Sequence, residues 1–283
     1  MEKSRFSMAT LSLLILLGIN GCSTVALTGR KQLRLVSDEE VLSLSNQSFN
    51  EYMSTAQPSA DNTATAMVVR VGKRIAAAVE EYLNTHGKAD DIKDFAWEFH
   101  LVRDEEPNAF CMPGGKIVVN EGILSYTKTE DGLAIVLGHE VAHAVAKHSA
   151  ERISQQKLMG YGGAALDLAL ANKTSATQTL AQTVYGLGAQ VGVMLPYSRL
   201  NESEADHMGL IFAAMAGYNP EAAIAFWQRM AAQGGGTPEF LSTHPSDHTR
   251  IQRLQGYMSE ALRYYKNPVS TSPTKPGEIR FNF

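Results

Sequence analysis

The stretch Leu133-Ala-Ile-Val-Leu-Gly-His139-Glu140-Val-Ala-His143-Ala-Val-Ala146 limits what this chain can fold into more sharply than any other. Thr129 can cap its start, Glu130 and Asp131 fall in the first turn, and no proline interrupts it, so it reads as a helix. At about 100° per residue, His139 and His143 lie about 40° apart on one face, one turn above the other. Apolar residues surround them on every side, which predicts a buried helix rather than an amphipathic one. Two imidazoles and a carboxylate buried without partners would cost several kcal/mol. A metal ion gripped by His139 and His143, with Glu140 beside a metal-bound water, removes that cost. A chance His-Glu-x-x-His on a solvated helix would not sit in such apolar surroundings.

A second stretch supplies what the first lacks. Pro196-Tyr-Ser-Arg-Leu-Asn-Glu202-Ser-Glu204-Ala-Asp206 opens another helix, in which Glu202 and Asp206 share a face at i, i+4. A catalytic zinc site takes three protein ligands and one open position, and two His with one Glu is an established set. Glu202 completes it, and Asp206 is placed to accept the outer ring N–H of a ligand histidine. Glu204 lies about 200° away and is expected to stand outside the site. His148 is rejected as a ligand because, on an uninterrupted helix, it falls about 180° from His139.

Ahead of these helices the hydrophobic period shifts to two. Trp97, Phe99 and Leu101 alternate with Glu98 and His100, and Asn108-Ala-Phe-Cys-Met-Pro-Gly-Gly115 leads into Lys116-Ile-Val-Val119, so short strands joined by a Pro-Gly-Gly turn are expected. An edge strand carrying Asn108, Ala109 and Phe110 would let an extended peptide pair beside the metal. Cys111 in that strand is expected to pack as a small hydrophobe. Gly160 to Ala171 and Leu180 to Leu195 read as an apolar helical hairpin too short to span a bilayer. It would cover the site and touch a membrane surface, another subunit or simply the core.

The four motifs together resemble the zinc metallopeptidase family of the CAAX prenyl endoproteases, the HtpX heat-shock protease and the bacterial lipoprotein and mitochondrial stress proteases. They are His139-Glu-x-x-His143, Glu202-x-x-x-Asp206, Asn108-Ala-Phe with Pro-Gly-Gly, and Thr243-His244-Pro245 with Arg250-Ile251. The resemblance implies an α+β, mostly helical zincin-like domain with a small sheet beside the active-site helix. It also implies one Zn2+ per chain on His139, His143 and Glu202, Glu140 as base, and unfolded or misassembled proteins as substrates. His244, stiffened by Pro245, either occupies the fourth zinc position as a latch, donates to an oxyanion, or only packs in its loop. A zinc-containing chaperone or assembly factor is the competing reading.

The N-terminus reads as a leader. Lys3 and Arg5 precede the apolar run Met8 to Ile19, and Gly21-Cys22 resembles the bacterial lipobox. Residues 1–21 are then a signal peptide, Cys22 bears lipid, and 22–36 form a tether. Residues 37–265 are the peptidase domain and 266–283 a disordered tail. By analogy this places the protein on a bacterial envelope membrane, the outer one, facing the periplasm. A net charge of −4 with no basic stripe argues against nucleic acid as the main partner, and two cysteines give no disulfide framework.

Overall fold

The computed structural model describes residues 22–190, 194–232, 240, 244 and 248–269. A short hairpin, β1 (Cys22–Thr24) and β2 (Lys31–Leu33), precedes helices α1 (Asp38–Thr55) and α2 (Asn62–Thr85). Strands β3 (Glu98–Val102), β4 (Ala109–Met112) and β5 (Lys116–Asn120) follow, then helices α3 (Glu121–Thr127) and α4 (Glu130–Val145). The remainder is helical, with α5 (His148–Ala169), α6 (Ser175–Ala189), α7 (Leu195–Met215), α8 (Ala222–Ala231) and α9 (His248–Tyr264).

Local chemistry starts the helices where the residues predict. Ser37 Oγ accepts the Glu40 amide, Asp61 the Ala64 amide and Thr129 Oγ1 the Gly132 amide, each satisfying a donor that a helix start leaves open. The expected strand turn is present. β4 and β5 pair antiparallel across Pro113-Gly114-Gly115, whose two glycines have φ of 91° and 85°. β3 adds to the other side of β5 in parallel, giving the order β3-β5-β4 and leaving β4 at an edge.

Helix α4 is the axis of the core. All its residues except Glu130, Asp131 and His143 are buried, as its all-round apolar sequence demands. It packs on α7, α2 and β4. Val71, Ile75 and Val79 of α2, Ile117 and Val119 of β5, Ile211 and Phe212 of α7, and Phe226 and Trp227 of α8 close around it in one cluster. The approach of α4 to α7 is limited by backbone alone. A Cβ on Gly138 would lie 2.6 Å from the Gly209 carbonyl oxygen, and one on Gly209 would lie 2.7 Å from the His139 nitrogen.

Three expectations change here. The helix expected to run on from α4 breaks at Lys147, which adopts the left-handed region at φ 57°. Its Nζ is held there 2.9 Å from Asp38 and 3.8 Å from Asp91. Residues 22–36 are no tether: Cys22 pairs with Leu33, Val25 enters the main core, and the Leu35 amide donates to Ser154 Oγ. At the other end, the Val269 amide donates to the Gly217 carbonyl, so ordered packing passes the expected boundary at 265. The leader of residues 1–21 and the tail from 270 lie outside the described residues.

The apolar hairpin forms as α5 and α6, clasped by Gln182 donating to Asp167 and Tyr185 Oη donating to the Met159 carbonyl. Its surface is not core: Leu168 is 83% exposed, and Tyr161, Leu180, Val184 and Leu187 are all exposed. Among the described residues no helix is long and apolar enough to cross a membrane.

The glycine contact generates a test. Gly209→Ala should cost about 1–3 kcal/mol by overpacking the α4–α7 seam. Urea unfolding reads this directly; a midpoint equal to wild type would show that the helices can part without cost.

Candidate metal centre

Helix α4 presents His139, Glu140 and His143, α7 presents Glu202 and Asp206, and the loop before α9 brings in His244. One donor atom from each of His139, His143, Glu202 and His244 lies within 4.8 Å of the others. His139 Nε2 is 3.1 Å from His143 Nε2 and 3.4 Å from Glu202 Oε2, while His143 Nε2 is 3.2 Å from Glu202 Oε1. Zn–N bonds of about 2.0–2.1 Å in a tetrahedron put neighbouring ligand atoms about 3.3 Å apart, and the observed edges match. His244 Nδ1 is a fourth donor, 3.1 Å from His139 Nε2 and 2.9 Å from Glu202 Oε2.

The outer ring nitrogens show why a cation fits. His139 Nδ1 is 3.1 Å from Asp206 Oδ1, and an ionised carboxylate can only accept, so Nδ1 carries the proton. His143 Nδ1 is 2.8 Å from His148 Nδ1, and His148 Nε2 is 3.0 Å from Glu204 Oε2. Glu204 takes the His148 Nε2 proton, which leaves His148 Nδ1 as an acceptor and fixes the proton of His143 on Nδ1. With these outer partners each ring can keep one proton on Nδ1 and offer Nε2 as a donor to a cation.

The surrounding charges agree. Burial alone would lower His139, but its hydrogen bonds to Asp206 and Glu202 outweigh this and raise its pKa to about 9. Burial opposes ionisation of Glu202, yet hydrogen bonds from His139, His143 and His244 hold it far below the usual carboxylate range. Asp206 is held low against burial mainly by the Arg250 charge. Burial lowers His148 to about 4, against its hydrogen bond to Glu204. Burial likewise lowers His143 and His244, against their carboxylate neighbours.

Glu140 differs from its neighbours. It is buried, which pushes its carboxyl pKa up, with His244 and His139 opposing. Its Oε1 has no hydrogen-bond partner among the described residues and lies 3.5 Å from His244 Nε2. It faces a cleft of about 560 Å³ whose walls include Asn108, Ala109, Phe110, His143 and Glu202. All three expected peptide-contacting residues thus border the metal site. Cys111 lines the same cleft, with its thiol pKa pushed well up by burial.

Three contributions escaped the sequence. Arg250 is 1% exposed, with Nη2 2.6 Å from Asp206 Oδ1, Nη1 3.4 Å from Glu202 Oε2, and its guanidinium 3.4 Å above the Trp227 ring. It holds both carboxylates of the Glu-x-x-x-Asp pair. Glu204, expected outside the site, is buried and bound to His148 and Arg30. His148 is not one of the gathered donors, as expected, but it is turned by the break at Lys147 to face His143. The expected 180° separation assumed a helix that does not continue.

Comparison with known proteins agrees with this geometry. The model of Peptidase family M48 matches residues 73–258. The chain is 39% identical to the mitochondrial metalloendopeptidase OMA1 of Schizosaccharomyces pombe over 75% of its length and 58% of that protein's. It is 30% identical to human OMA1, over 84% of the chain and 46% of the relative. The beta-barrel assembly-enhancing protease of Escherichia coli is 29% identical over 60% of the chain and 37% of its own length. The chain thus spans about half the length, or less, of these relatives. The expected placement on a bacterial outer membrane is corrected by this finding, because the OMA1 relatives, at 30–39% identity, are mitochondrial. A leader of two basic residues, a short apolar run and Gly-Cys is too brief a pattern to outweigh similarity over some two hundred residues. Matched over more than half its length, the chain belongs to peptidase family M48.

Proposed function

We propose that this chain is a zinc-dependent endopeptidase that cuts unfolded or misassembled proteins internally. The observation that carries the reading is Glu140, a buried carboxylate with an oxygen unpartnered among the described residues, at the cleft wall beside three converging ligand atoms. Zinc held by His139, His143 and Glu202 would supply Lewis acidity and lower the pKa of a water. Glu140, whose carboxyl pKa burial raises, is suited to take a proton from the attacking water and pass it to the leaving amine. His139 and His143 keep their orientation through Asp206 and His148. The edge strand β4 runs along the cleft, so an extended substrate can pair with Ala109–Met112 as an added strand. Backbone pairing reads little sequence, which suits unfolded chains as substrates. The names of the OMA1 relatives, metalloendopeptidases, support the activity.

The second reading, a zinc-containing chaperone or assembly factor, draws on one observation. His244 makes a fourth donor, and closed four-ligand sites are typical of structural zinc. Within the enzyme reading we favour His244 as a latch over an oxyanion donor, since its Nδ1 lies within 4.8 Å of the other three donor atoms. The His244 backbone amide donates to the Phe240 carbonyl and its ring packs on Phe240, 4.7 Å between centroids.

Three substitutions test these statements. Glu140→Gln should keep one zinc per chain by elemental analysis and lose casein cleavage by at least ~10²-fold. Cleavage by that variant comparable to wild type would refute Glu140 as base; no chelator-sensitive cleavage in wild type would favour the chaperone reading. Glu202→Ala should lose zinc, and full occupancy there would move the third ligand elsewhere. His244→Ala, assayed at equal zinc content, should raise basal cleavage several-fold. A fall of ~10²–10³ would assign the oxyanion role instead.

A further inference from the structure

The zinc ligands are oriented unequally. His139 leans directly on Asp206, whereas His143 leans on a second histidine that leads away from the site. The path runs from His143 Nδ1 to His148 Nδ1 at 2.8 Å, then from His148 Nε2 to Glu204 Oε2 at 3.0 Å. Glu204 is in turn held by the N-terminal hairpin: Arg30 Nε donates to Oε2 at 2.8 Å, and the Thr28 hydroxyl donates to Oε1. The other face of the Arg30 guanidinium donates through Nη1 and Nη2 to both oxygens of Glu151, at 2.9 and 2.8 Å. Glu151 is fully buried and Glu204 nearly so.

We propose that His148 is the positioning residue for the metal ligand His143, and that Arg30 and Thr28 fix it through Glu204. The assignment rests on His143 being a ligand. A histidine binding metal through Nε2 needs an acceptor for its Nδ1 proton, which fixes the ring and raises the basicity of the other nitrogen. His148 is that acceptor only while Glu204 takes the proton on its far nitrogen. If Glu204 turned away, His148 could carry its proton on Nδ1, and two N–H groups would then oppose each other at 2.8 Å. The hairpin prevents this by holding Glu204 on two sides. The glutamate gains a full set of donors and His148 has one tautomer that satisfies every partner. The segment 22–36 is therefore a part of the candidate metal centre, although none of its side chains is among the four gathered donors.

The test measures zinc affinity of the full chain by competition with a chromophoric chelator, alongside the visible spectrum of the cobalt-substituted protein. His148→Leu removes the acceptor and should weaken zinc binding about 10–100-fold, with an altered cobalt spectrum. His148→Gln keeps one acceptor and one donor and should stay within about threefold of wild type. Arg30→Gln, outside the gathered donors, should weaken zinc binding several-fold. The proposal is overturned if His148→Leu binds zinc within twofold of wild type or, should that variant fail to fold, if Arg30→Gln does. It is equally overturned if His148→Gln loses as much affinity as His148→Leu, which would reduce His148 to packing. His143→Ala separates the two readings: tight zinc binding by that variant would remove His143 from the ligand set, leaving nothing for the relay to position.

Discussion

Two imidazole nitrogens, 3.1 Å apart, on rings whose outer nitrogens each meet a partner on the far side, set the terms for the rest of this structure. What encloses them keeps the rings from relaxing apart. Helix α4 supplies the one-turn spacing. The glycines of α4 and α7 let the second helix approach until Glu202 reaches the same point. Asp206 and His148 take the two outer protons. Burial is what makes each of these contacts count, because in a dry site neither the lone pairs nor the carboxylates can turn to solvent instead.

The positive charge that the site invites is also balanced with care. Arg250 sits against Asp206 and Glu202 with its guanidinium over the Trp227 face, so a fixed cation holds the two carboxylates before any metal arrives. Removing a buried partner from such a set leaves an uncompensated charge, a loss of several kcal/mol in typical cases. The aromatic floor of Trp227 and Phe240, stacked at 5.7 Å, extends under His244. One continuous surface therefore supports the outer carboxylate of one ligand and His244.

Much of this was legible from the residues. Period and capping located α1, α2 and α4, and the Pro-Gly-Gly turn located the β4–β5 hairpin, because those signals are local. The i, i+4 spacing of Glu202 and Asp206 was enough to put both on the side of α7 that faces His139. What the sequence concealed depends on long-range geometry. Glu204 lies on the opposite face of α7, and only the break at Lys147 brings His148 back to meet it. That break is made by a lysine in the left-handed region, held by Asp38 and Asp91 from distant segments, and no glycine or proline announces it. Arg30 and Thr28 were concealed for the same reason, since a polar segment after a leader looks like a spacer until its partners are known. Arg250 belonged to a recognisable motif, but nothing local says which carboxylates a buried arginine will hold.

The hairpin of residues 22–36 has a consequence for the order in which the molecule is made. Thr28 and Arg30 leave the ribosome early, while their partner Glu204 follows 176 and 174 residues later. His244 follows His139 by 105. A nascent chain that has produced His139 and His143 still lacks Glu202, Glu204 and His244. Contacts of such sequence separation form late in folding, after the entropy of closing long loops has been overcome. The gathered cluster thus comes into being as one of the last events in the birth of the molecule, and incomplete chains carry the motif without the geometry.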